Sequence, residues 1–102
     1  MIKHIVMMKF FENAGGKSKS ENLEIAKQMI DALKNEISQI VEMKAGININ
    51  YTNPDKAFDI VIDSIFHNLE DIDIYKVHPA HMKLVDFLNI VREKTVYIDY
   101  EI

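Results

Sequence analysis

The chain has 102 residues, 48% hydrophobic and 27% charged, a balance that suits one folded domain over residues 1–102 and excludes a disordered chain. Twelve basic against sixteen acidic residues leave a net charge of −4, and no segment is dominated by Lys or Arg, so a nucleic-acid partner is not expected. The lack of cysteine removes disulfides, thiolate metal sites and cysteine nucleophiles, and no stretch approaches the roughly 20 apolar residues of a membrane span.

Lys3 to Phe10 is rich in branched and long apolar residues, too short for a helix, and reads as a strand. Lys9 breaks its apolar run and no small-residue cleavage site follows, so it is not read as a secretory leader; a cytoplasmic protein is expected. Asn13-Ala14-Gly15-Gly16 reads as a loop. Ser18 with Glu21 three residues on forms the capping-box pattern, and a long helix is expected to follow. Leu23, Ala26, Met29, Ile30, Leu33, Ile37 and Ile40 recur at spacings of three and four, which predicts one buried helical face running to Ile40.

Met43 to Tyr51 reads as a second strand, with Ala45, Ile47, Ile49 and Tyr51 on one side. Thr52-Asn53-Pro54-Asp55 is a turn, and Phe58 to Phe66 a third strand. Asn68 can cap a short helix whose first turn holds Glu70 and Asp71. Pro79 suits the first position of a further helical piece to about Val91, and Lys94 to Ile102 is a last strand.

The order β-α-β-β-α-β predicts an α+β, ferredoxin-like domain: a four-stranded antiparallel sheet with its helices on one face. The first and third strands should be central. Residues two apart share a side, so His4, Val6, Met8 and Phe10 go with Phe58, Ile60, Ile62, Ser64 and Phe66 toward the helices. Ile5, Met7, Val61 and Ile65 are left on the open face. Four such side chains are worth about 1.5–3 kcal/mol each on full burial, which predicts a homodimer through the sheet face, a dimeric α/β barrel. A partly wet sheet face on a monomer is the alternative.

Tyr75-Lys76-Val77-His78-Pro79-Ala80-His81 is the most distinctive segment. With Pro79 as first helical residue, His78 lies near the cap and His81 in the first turn, on a stripe with Val85, Leu88 and Arg92 that faces the sheet. His4 on the helix-facing side needs a hydrogen-bond partner, which His81 or Tyr75 could supply. A histidine near a helix N-terminus is held toward its neutral form, which can act as a general base, and a tyrosine hydroxyl can donate to an oxygen gaining charge. Those parts suffice for proton abstraction beside a carbonyl without a cofactor. The other reading is that the two histidines and the tyrosine satisfy one another in the core. A metal reading would use His78 and His81, three apart, with His4; that spacing is not the i, i+4 pair of a zinc-protease helix and no carboxylate is placed with it, so no metal is expected. His67 follows the third strand as an exposed loop residue, the six methionines scatter as packing, and Tyr97 and Tyr100 fall on opposite faces of the last strand.

Taken together, Lys3-His4-Ile5-Val6, Gly46-Ile47-Asn48, Phe58-Asp59-Ile60-Val61, Tyr75 with His78-Pro79-Ala80-His81, and Asp99-Tyr100 resemble the stress-responsive dimeric A/B barrel (Dabb) family over nearly the whole chain. The resemblance implies a ferredoxin-like fold, a homodimer of apposed sheets and a cavity between sheet and helices. The family includes a plant polyketide cyclase in which the tyrosine three before His-Pro and the second histidine of that motif carry catalysis; the matching residues are Tyr75 and His81. That cyclase also has histidines at the positions of His4, which matches, and Ile60, which does not and changes the polarity and shape of the pocket. The resulting expectation is a small-molecule pocket formed by His4, Met8, Phe58, Ile60 and His78, with His81 as base and Tyr75 as donor and no cofactor. Two alternatives stay open. One is a non-catalytic, stress-related binding or interaction module with structural histidines. The other is a dimeric-barrel oxygenase, for which no haem or quinol site is apparent.

Overall fold

In β1 (Ile2–Phe10) the buried positions are Ile2, His4, Met8 and Phe10, so strict alternation sends one set of side chains inward and the other out. The computed structural model describes residues 1–102. After β1 come a two-rung hairpin, β2 (Asn13–Ala14) and β3 (Lys17–Ser18), then α1 (Lys19–Ala32) and a single 3₁₀ turn at Leu33–Asn35. β4 (Ile40–Ile47), β5 (Ile60–Phe66), α2 (Leu69–Val77), α3 (Pro79–Val91) and β6 (Arg92–Glu101) complete the chain. The main sheet has the order β4-β5-β1-β6 and is antiparallel throughout, so β1 and β5 are central and the fold is ferredoxin-like α+β. No helix is long and apolar enough to cross a membrane.

Local chemistry sets the element boundaries. Gly15 and Gly16 both take positive φ, +60° and +79°, which supplies the tight turn of the β2–β3 hairpin where a plain loop was expected. Ser18 caps α1: its Oγ accepts from the Glu21 amide at 3.2 Å while the Glu21 carboxylate accepts from the Ser18 amide at 3.2 Å. Asn68 caps α2 by accepting from the Asp71 amide at 2.8 Å, and Pro79 opens α3.

α1 stops well before Ile40, contrary to its apolar spacing. Ile37 and Ile40 are buried, but from the connecting turn and from the first residue of β4. The chain leaves the helix so that β4 can pair with the whole length of β5, from Ile40 opposite Phe66 to Ile47 opposite Ile60. The strand therefore lies earlier than expected. Ile49, at 97% exposure, and Tyr51 lie beyond it.

The alternation predicted through Phe58 also fails at one point. Asp59 and Ile60 are both buried. The Asp59 carboxylate turns inward to accept from the Phe10 amide and the Tyr51 hydroxyl, each at 2.8 Å, and its amide donates to the Met8 carbonyl at 2.9 Å. Satisfying the frayed end of β1 in this way costs one step of the alternation. Phe58 emerges on the open face beside Met7 and Val61, not under the helices. That open face carries Ile5, Val61 and Ile65 half-buried, with Met7, Ile98 and Tyr100 exposed. The helix-facing core is built from Met8, Phe10, Ile30, Ile60, Phe66, Ile72, Leu84 and Val91, all nearly solvent-free.

Candidate functional site

β6 is an edge strand, and its inner face is only partly roofed by α2 and α3. Between that face, β1 and the two helices lies a cavity of about 290 Å³. Its closed side is formed by His4, Met8, Ile62, Tyr75, Leu84 and Leu88; its open side by the exposed Lys76, Thr95 and Tyr97 and the half-buried Arg92.

The register of β1 on β6 sets His4 opposite Asp99. The His4 ring, 5% exposed as a residue, pairs through Nδ1 with the Asp99 carboxylate. Its partner is thus Asp99, and neither His81 nor Tyr75 as expected. A carboxylate on Nδ1 fixes the ring's orientation and tautomer, and leaves Nε2 as the free nitrogen.

His81 occupies the third position of α3. Its Nδ1–H donates to the Lys76 carbonyl at 2.9 Å. Lys76 lies in the last turn of α2, where carbonyls have no partner within their own helix, so the break between α2 and α3 creates the acceptor that orients this ring. Nε2 again remains free. Burial holds the His81 imidazole below its usual value, and the charges of Lys76 and Arg92 push the same way, against the Lys76 carbonyl.

Tyr75 stands between the two histidines. Its ring centroid is 4.3 Å from that of His81 and 6.4 Å from that of His4, and it packs on Phe66 at 5.0 Å. Burial alone drives its phenol upward, so it stays protonated and can donate a hydrogen bond at any ordinary pH. One donor and two oriented imidazoles therefore converge on one apolar-floored space. A carbonyl oxygen placed at the Tyr75 hydroxyl could have its adjacent C–H proton within reach of an imidazole nitrogen.

Of the seven residues singled out from sequence, His4, Met8, Tyr75 and His81 line this cavity. His78, Phe58 and Ile60 do not. The His78 Nδ1 accepts from the Ala80 amide at 3.0 Å, which makes this ring the N-cap of α3. Phe58 lies on the opposite face of the sheet with Lys9 Nζ 5.5 Å from its ring centroid. Ile60 is buried in the core beside Met8 and is not part of the cavity lining. Asp99, Tyr97 and Lys76 were not identified in advance. A strand pairing of the first and last segments would have found the first two, because His4 opposite Asp99 puts Val6 opposite Tyr97. No group of three or more His, Cys, Asp or Glu side chains is arranged to hold a metal ion.

A larger opening of about 780 Å³ lies where β1, the start of α1 and the β4–β5 loop meet. Most of its charged groups are used on one another: Lys19 Nζ is 3.1 Å from Glu12 and 3.4 Å from Asp59, which also holds Tyr51. It is a clamp between elements.

Comparison with known proteins bears on this architecture. The sequence model of the family described as Stress responsive A/B Barrel Domain matches residues 2–102. Olivetolic acid cyclase from Cannabis sativa is 24% identical over 99 residues, covering 97% of this chain and 94% of the cyclase. A dimeric protein of unknown function and ferredoxin-like fold from Bacteroides fragilis superimposes with a TM-score of 0.86 and 32% identity, over 99% of this chain and 95% of that one. Hydroxynitrile lyase from Passiflora edulis has the same fold, with a TM-score of 0.78 and 22% identity over 99% and 92% of the two chains.

Proposed function

The chain belongs to the stress responsive A/B barrel domain family, and on that premise we propose that it is a homodimeric small-molecule-binding protein catalysing cofactor-free proton abstraction beside a carbonyl. In this reading His81 is the base and Tyr75 the hydrogen-bond donor. The observation that carries it is the convergence of Tyr75, His81 and the His4–Asp99 pair on one cavity with an apolar floor. A donor and a base converging on one space make β-dicarbonyl compounds and their thioesters the first substrates to try. Their acidic C–H lies beside two oxygens, one of which can take the tyrosine hydrogen bond.

Support for the homodimer comes from the apolar open face of the sheet and from the dimeric Bacteroides fragilis relative. The cavity lies on the other side of the sheet, so both copies would keep it.

A second reading is favoured by His4 itself. It is buried and already paired with Asp99, as a structural histidine would be. The cavity would then bind a ligand without transforming it. Exchange of the acidic C–H of a β-keto thioester into deuterated water separates the two. Catalysed exchange that His81→Ala abolishes and Tyr75→Phe slows by about ten- to a hundredfold supports the enzyme. Binding without exchange in the unaltered protein supports the module, and exchange unaffected by either substitution refutes the assigned roles.

A further inference from the structure

The charges around the cavity narrow the ligand further. The whole chain has sixteen acidic residues against twelve basic ones. The cavity inverts that balance: its ionisable lining is His4, Lys76, His81, Arg92 and two tyrosines, with no Asp or Glu. Asp99, on the same face of the sheet, is engaged by His4. Neither Lys76 nor Arg92 forms an ion pair anywhere in the chain. The Lys76 ammonium lies 5.9 Å from the Tyr97 ring centroid at the open side. The Arg92 guanidinium gives one hydrogen bond, from Nη2 to the Asn89 side-chain oxygen at 2.7 Å, which leaves donors unused.

Both cations also sit at helix C-termini, where a positive charge is favoured by about 0.3–1 kcal/mol, so their presence alone names no ligand. The lack of any lining carboxylate does point to one. Two unpaired cations held beside an apolar cavity are arranged as anion receptors, and Arg in particular has the fork geometry that fits a carboxylate. The volume, about 290 Å³, admits a compound of modest size.

We propose that the cavity takes a small carboxylic acid, with its apolar body on the floor of Met8, Leu84 and Leu88 and its carboxylate at the open side, where Lys76 and Arg92 stand. This rests on the reading of the cavity as a ligand site and adds the class of ligand to it.

Three probes of matched size test the idea: 3-phenylpropanoate, 3-phenylpropanamide and 3-phenylpropanol. Their affinities for the full chain are measured by calorimetry, and the ring signals of His4 and His81 are followed by NMR to locate them. The expected result is that the acid binds at least about tenfold more tightly than the amide or the alcohol, with both histidine signals shifting. In the Lys76→Gln, Arg92→Gln double variant that preference should vanish. Equal binding of all three probes with shifted histidine signals would overturn the carboxylate proposal and leave the ligand site standing. Acid binding that leaves the histidine signals still would overturn it too, as contact elsewhere on the surface. Binding by none of the three would count against the proposal and the ligand-site reading together. Should the double variant fail to fold, the acid-to-amide ratio in the unaltered protein decides alone.

Discussion

At the scale of single residues, the site depends on how each imidazole spends its Nδ1. His4 gives it to a side chain, Asp99, and His81 to a backbone carbonyl, Lys76. His81 has the signature of a base held neutral, because burial and the neighbouring charges of Lys76 and Arg92 lower it from 6.5. A reaction that uses it should therefore keep its rate as pH falls to 6.5 and lose it only at lower pH, and a pH–rate profile checks this. An acid limb centred at or above 6.5 would remove His81 from the role of base. Tyr75, pushed upward by burial, should add no alkaline limb below its ordinary range near 10. The stability effect has the same sign. The unfolded chain protonates this histidine more readily than the folded one, so stability is lost as pH drops from 6.5 toward the folded value. Sequence reasoning reached Tyr75, His81 and His4 because a Tyr-x-x-His-Pro-x-His run and strand alternation are local signals. It did not reach Asp99, whose pairing with His4 spans 95 residues and depends on a register that no local pattern encodes.

At the scale of elements, the caps were legible because each is written within four residues. The Ser18–Glu21 box, the Asn68 cap and Pro79 at the first position all stand as the sequence suggested. Apolar spacing misled at the end of α1, since Ile37 and Ile40 reach the core without being helical. It misled again at Phe58, where the inward turn of Asp59 breaks the alternation just ahead of β5. Asp59 is the joint between β1, α1 and the β4–β5 loop, holding the Phe10 amide, the Tyr51 hydroxyl and Lys19. The neighbouring carboxylate is also a second cause, after burial, of the Tyr51 phenol being pushed up to about 12. Asp59→Ala should cost about 3 kcal/mol, because it orphans a buried amide and removes a charge-assisted partner. Chemical unfolding measures the cost, and hydrogen exchange should show residues 48–58 losing protection first. A loss below about 1 kcal/mol would mean that the loop is held by other contacts.

At the scale of the whole molecule, the sheet has two unlike faces. One is packed by three helices, and the other leaves Met7 39%, Ile98 57% and Tyr100 45% exposed. A second copy on that face accounts for the exposure. Ile98→Lys should convert a dimer into a monomer in sedimentation at micromolar concentration, with the fold retained by circular dichroism. An unaltered protein that already sediments as a single subunit would contradict the pairing. The central claim, that the cavity serves a ligand and not the fold, is tested most directly by the unfolding free energy of His81→Ala in urea at pH 8, where the ring is neutral in both states. The cavity is already open, and the Lys76 carbonyl that loses its donor can turn to water, so the expected change is within about 0.5 kcal/mol of the unaltered protein. A loss of about 1–3 kcal/mol would show that His81 is a structural member of the core, and the functional assignment of the cavity would fall with it.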